Sequence, residues 1–220
     1  MVNYEIIVVD GASNDGIAEI AQEILKDVKE SFIISEEDNG IYDAMNKGIE
    51  ISKGEYLLML NGGDYLYDEY SLSFFFTEAK VNNQSVALGR CIYHHTVKDN
   101  FIYENIEMPK SGAPELCHQT LLYRKKLHDE FGYYNDRMKS AADYDFFSKL
   151  KFLGGINFVR KDRFVVVSVK NGNDASCQLQ HALDMTMIDI KTGVIIRTWP
   201  KRFKSIISRI LRFKFNKRSL

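Results

Sequence analysis

Apolar positions along the chain fall into short blocks with two different periods. Ile6-Ile7-Val8-Val9 is an unbroken β-branched run, as expected of a strand buried on both faces of a parallel sheet. It stops at Asp10-Gly11-Ala12-Ser13-Asn14-Asp15-Gly16, a cluster of turn formers. Ile17, Ile20, Ala21, Ile24, Leu25 and Val28 then recur at three- and four-residue steps, which predicts a helix. Phe32-Ile33-Ile34 predicts a second strand, and residues 41–52 a second helix, ended by Lys53-Gly54. Tyr56-Leu57-Leu58-Met59-Leu60 predicts a third buried strand, cut off at Asn61-Gly62-Gly63-Asp64. Strand, helix, strand, helix, strand implies βαβ units, and hence an α/β fold around a mostly parallel sheet.

The second half is less regular. Val86–Tyr93 and Thr96–Tyr103 predict two strands able to pair antiparallel, and residues 104–117, with two of the three prolines, predict a loop. Strands are expected at His118–Tyr123 and Phe164–Val169, and helices at Lys125–Glu130, Tyr144–Leu153, Leu179–Lys191 and Lys201–Phe215. Without a repeat or a long linker, residues 1–198 read as one domain, followed by a basic amphipathic helix over 199–220.

Composition narrows the class. In a chain of 220 residues, 45% hydrophobic and 27% charged residues exclude a disordered tail, a collagen-like rod and a disulfide-stapled mini-protein. Three cysteines without metal-ligand spacing suggest a reducing compartment. No stretch approaches the ~20 apolar residues of a membrane-spanning helix, and Met1–Glu5 carries no signal-peptide pattern, so a cytoplasmic protein is expected. The net charge of −1 hides a division: residues 201–220 hold eight Lys or Arg and no acid, so residues 1–200 carry −9.

In an open sheet, ligands bind beyond the carboxyl ends of the strands. Asp10 and Asp64 leave two such ends, where a carboxylate suits either a base or ribose hydrogen bond or a hard divalent cation. Taken singly, each is equally an ordinary turn residue. Gly11 and Gly16 form neither a P-loop nor a dinucleotide fingerprint. On the 41–48 helix, Asp43, Asn46 and Lys47 share one face by their spacing, which fits either a ligand site or a solvated ion pair.

Four segments in order carry a resemblance. Tyr4 to Gly16 resembles the EIIVVDGxSxDGT signature of family 2 glycosyltransferases with the GT-A fold. Asp38-Asn39-Gly40-Ile41-Tyr42-Asp43-Ala44-Met45-Asn46-Lys47-Gly48-Ile49 is similar to the DxGIYDAMNKGI segment of a bacterial branch that builds surface polysaccharides. Leu60 to Asp64 resembles that branch's LNxGD, which stands in the place of the DXD metal motif, and His118-Gln119 and Ala142-Asp143-Tyr144-Asp145 resemble its HQ and xDxD segments.

The resemblance implies an inverting enzyme with a nucleotide-sugar donor, UDP-linked by expectation, and a saccharide or polyprenyl-linked acceptor. It places Asp10, Gly11, Ser13 and Asp15 at the nucleotide, and Asp43, Asn46, Lys47, Asn61 and His118 around donor or acceptor. It implies Asp64 as the ligand to Mg²⁺ or Mn²⁺, with Asn61 and Gly63 where many relatives have carboxylates. Asp143 matches the catalytic base, with Asp145 the competing carboxylate. Relatives usually carry a further strand and helix ahead of the EIIVVDG strand, a segment that helps enclose the base. The chain as given starts almost on that strand, so a non-catalytic remnant or nucleotide-sugar-binding subunit is the second expectation.

In the basic end, Phe203, Ile206, Ile207, Ile210, Leu211 and Phe213 recur at mostly helical spacing among cations. That is the pattern of a helix lying in an anionic membrane surface, and it predicts peripheral attachment at the inner face of the cell membrane. A basic face on a core helix is the rival reading. A nucleic-acid partner is not expected, given the acidic body and the lack of a reading module.

Overall fold

The structure, a computed structural model, describes residues 3–81, 85–95, 100–103, 117–170 and 175–192. The expected basic helix and the 199–220 segment lie outside the described residues, as does most of the 104–117 loop. In chain order the first elements are β1 (Ile6–Asp10), α1 (Ile17–Leu25), β2 (Ser31–Ser35), α2 (Ile41–Ile51), β3 (Tyr56–Leu58), β4 (Tyr65–Leu66) and α3 (Ser71–Val81). They are followed by β5 (Ser85–His95), β6 (Asn100–Tyr103), a 3₁₀ turn (His118–Thr120), β7 (Leu121–Arg124), α4 (Lys126–Phe131), α5 (Ala142–Phe152), β8 (Asn157–Lys170) and α6 (Ala175–Lys191).

The α/β class holds, and the sheet is mixed. β1 and β2 pair in parallel, Ile6 opposite Ser31 through Asp10 opposite Ser35. β3 does not join them: it pairs antiparallel with β7, at the edge of a second sheet ordered β3-β7-β5-β8-β4. The Ile6 amide and the Asp10 carbonyl bond toward β2, so by alternation the backbone groups of Ile7 and Val9 turn the other way. They face a groove of about 270 Å³, bounded across from β1 by Leu58 and Asn61 and roofed by Met45 and Gly48 of α2. Glu5 closes its foot, accepting the amides of Lys53 and Gly54 at 2.7 and 2.5 Å.

β5 and β8 form the centre, parallel from Ser85 opposite Asn157 to His95 opposite Lys170, with an irregular register around Leu88–Cys91. One core cluster lies where α2, α4 and α5 cover the second sheet, with Ile49, Leu88, Leu121, Phe146 and Leu150 fully buried. The other face packs Phe75 of α3 against Cys91, Val165 and Val166.

Several local readings shift. α1 turns Ala21 and Leu25 toward the sheet, ends before the half-buried Val28, and leaves Ile17, Ile20 and Ile24 exposed at 46%, 53% and 70%. Its apolar set spans two stripes, and a two-stranded ribbon covers one. His118–Thr120 is a turn rather than the start of a strand, because the Thr120 amide and hydroxyl both fold back to the Cys117 carbonyl, at 2.9 and 2.7 Å. α3 has no clear period in its Phe74-Phe75-Phe76 run. It is set by its start, where Ser71 and Asp68 exchange hydrogen bonds and Asp68 meets Arg163 at 2.7 Å.

Candidate active site

The first group of polar residues forms where β1 and β2 end. Asp10, 9% exposed, accepts the Ser13 hydroxyl, the Ser13 amide at 3.1 Å and the Ser35 hydroxyl at 2.6 Å. The hydroxyls of Ser13 and then Ser35 hold its carboxyl below the usual carboxylate range. A Cβ at Gly11 would lie 2.5 Å from Asp38 Oδ2, so a side chain there would displace the Asp38 carboxylate. Asp15 accepts the Ile17 amide at 3.1 Å, a local bond at the start of α1.

The loop after β2 is stapled from α2. Lys47 donates to the Glu37 carbonyl at 2.7 Å and pairs with Glu36 at 2.9 Å, while Asp43 accepts the Asn39 amide at 2.9 Å. Asn46 turns elsewhere, exchanging hydrogen bonds with the Tyr134 backbone at 2.9 and 3.1 Å. The shared helix face therefore splits between a loop staple and a tertiary anchor.

Asp64 closes the loop after β3. Its oxygens accept the Asn61 amide at 3.1 Å, the Val169 amide at 3.0 Å and the Gln119 side-chain amide at 2.7 Å. Three donors leave about one of a carboxylate's four lone-pair directions. Among the described residues no three His, Cys, Asp or Glu side chains converge on an ion site. The donor set is thus a single ligand, which fits an ion that brings most of its own ligands, as magnesium does with waters and phosphates.

The third group joins distant segments. Asp143, in the first turn of α5, accepts the Tyr42 hydroxyl on Oδ1 at 2.9 Å, and His118 Nδ1 lies 3.0 Å from Oδ2. His118 Nε2 lies 3.3 Å from the Asn61 side-chain oxygen. Burial pushes the Asp143 carboxyl up, but His118, Tyr42 and the α5 backbone outweigh it and hold the group below the ordinary range. Asp145, two residues on, pairs instead with Lys149 of its own helix at 2.6 Å. The structure therefore brings Asn61, His118 and Asp143 together, with Asp64 attached through Gln119. Tyr42, Gln119 and Ser35 are contacts that sequence reasoning missed. The first two lie inside the quoted motif segments, where their signal was available.

Residues 2–140 match the family model described as Glycosyl transferase family 2. The chain belongs to that family. It is 29% identical over 227 residues to a PGL/p-HBAD biosynthesis glycosyltransferase of Mycobacterium tuberculosis, covering 95% of this chain and 83% of the relative. It is 25% identical to glycosyltransferase GlyG of Streptococcus pneumoniae, over 77% of this chain and 51% of that one. Its fold is similar to that of S. aureus TarS 1-349, with a TM-score of 0.64 at 18% identity over 95% of this chain and 63% of that one. The mannosyltransferase PcManGT of Pyrobaculum calidifontis, whose structure holds GDP-Man and Mn²⁺, gives 0.63 at 14%, over 93% and 59%. The chain spans about 60% of the length of these two structures. This is a glycosyltransferase with the GT-A fold.

Proposed function

We propose that this glycosyltransferase moves a sugar from a UDP-linked donor to a hydroxyl of a saccharide or polyprenyl-linked acceptor, with inversion, in building a bacterial surface polysaccharide. The observation that carries this is the Asp143 carboxylate, kept ionised between His118 and Tyr42 and linked through His118 to the loop after β3. Inversion needs one such base and no covalent nucleophile. The acceptor oxygen attacks the anomeric carbon opposite the leaving diphosphate, and its proton passes to Asp143. Asp10, with Ser13 and Ser35 already donating to it, keeps room for one further donor, such as a base N–H. Asp64 is the residue that would hold Mg²⁺ or Mn²⁺, whose contribution when bound is to offset charge on the leaving diphosphate.

A nucleotide-sugar donor is supported by the fold neighbours, since TarS is seen with UDP-GlcNAc and with UDP. The basic segment 199–220 would hold the enzyme on the cytoplasmic face of the membrane, near a polyprenyl-linked acceptor. The test is nucleoside diphosphate release by the full chain from a panel of UDP-sugars, with Mg²⁺ or Mn²⁺ and a saccharide acceptor. Absence of release from every donor overturns the reading. Asp143→Asn should lower turnover by about 10²–10⁴-fold with donor affinity unchanged, and wild-type turnover would move the base elsewhere.

A further inference from the structure

Helix α2 reaches the Asp143 carboxylate through a residue that the motif reading left without a role. Tyr42 sits in its first turn, 7% exposed, with its ring 5.9 Å from that of Tyr134 and its hydroxyl on Asp143 Oδ1 at 2.9 Å. We propose that Tyr42 is a positioning residue for Asp143, fixing the orientation of its carboxylate and favouring its charged form. The inference rests on the reading of Asp143 as the base.

The groups that face Asp143 come from several elements. His118 approaches from the 3₁₀ turn, Tyr42 from α2 and the Tyr144 amide from α5 itself, while Tyr123 and Tyr134 act at longer range. Tyr123 and Tyr134 share a 2.9 Å hydrogen bond, and Tyr123 also meets His128 at 3.1 Å, while the side chains bonded to the carboxylate among the described residues are Tyr42 and His118. The two partners differ in kind. An imidazole changes its number of N–H donors on titration, whereas burial, with the Asp143 charge added, drives the Tyr42 phenol far above its ordinary ionisation. Its O–H remains a donor at any working pH.

Placement matters as much as chemistry. The same helix carries Asp43 and Lys47, which staple the loop beside Asp10. α2 thereby fixes the nucleotide-side loop and the base on one rigid element, so their separation does not depend on loop conformation.

Tyr42→Phe keeps the ring and its packing while removing the donor. Hydrogen bonds to charged groups are worth a factor of about ten to a hundred, so kcat should fall by that much with donor KM within about twofold. Losing a donor to the charged form raises the carboxyl, so the acid limb of kcat/KM should move up by about one pH unit. A ¹³C titration of the Asp143 carboxyl in the substrate-free protein, wild type against Tyr42→Phe, reads the same shift without turnover. An unmoved titration overturns the proposal, even where turnover falls, because that pattern marks a packing role alone. Wild-type turnover in Asp143→Asn would remove the base assignment and the Tyr42 proposal with it, whereas an inactive Asp143→Asn with an unmoved Asp143 titration in Tyr42→Phe removes the Tyr42 proposal alone.

Discussion

Gly89 sits at the register irregularity of the central strands, between Leu88 and Arg90. A Cβ there would lie 2.2 Å from Val165 Cγ2 and 3.1 Å from its Cβ. Val165 is wholly buried and β-branched, so it has little rotamer freedom with which to retreat. Gly89→Ala is therefore expected to cost about 1–3 kcal/mol by overpacking, read as a lower urea midpoint at unchanged slope. At the same scale, Asp43, Asn46 and Lys47 show what spacing can convey. Their common helix face was legible, but which partner each would take was not, because the Tyr134 backbone and the Glu36–Glu37 loop arrive from elsewhere in the chain.

Helix α4 carries a buried histidine between two other elements. His128, 2% exposed, stacks on Phe146 of α5 at 4.2 Å, meets the Tyr123 hydroxyl of β7 at 3.1 Å and faces the Gly132 carbonyl at 3.1 Å. Burial pushes its imidazole down to about 4. The unfolded chain takes up that proton near the ordinary value of about 6.5, so the unfolded state binds more protons throughout that window. The stability is present above about 6.5 and is lost as pH falls toward 4. Between pH 7 and pH 5 the loss should be about 2 kcal/mol, measured by urea unfolding at a series of pH values, and His128→Phe should flatten the slope. Asp143 and Asp10 add a further loss at lower pH, since both are held below the ordinary carboxylate value and stabilise only while ionised. Among the elements, β1, β2 and α2 were readable because a β-branched run or a helical period dominates each. β4, with two residues, and α3, with its aromatic run, offered no period to read.

The whole molecule is an acidic body of −9 joined to an end of +8. At roughly 1 kcal/mol per basic residue near an anionic surface, that end should give firm, salt-sensitive attachment. The full chain is expected to co-sediment with phosphatidylglycerol vesicles at low salt and to release as salt rises. A chain ending at Trp199 should stay in solution, and equal binding by it would refute the attachment.

Much about the protein was determined along the chain itself: the α/β class, the loops that close β1 and β3, the carboxylates placed in them, and the charge division. These depend on neighbours in sequence, through periodicity, turn chemistry and composition. Only the tertiary structure decided that β3 leaves β1 for β7, that Asp143 rather than Asp145 faces His118, and that Tyr42 holds it. Each of those outcomes is a pairing across tens of residues, chosen by which buried polar groups find partners once the core has closed.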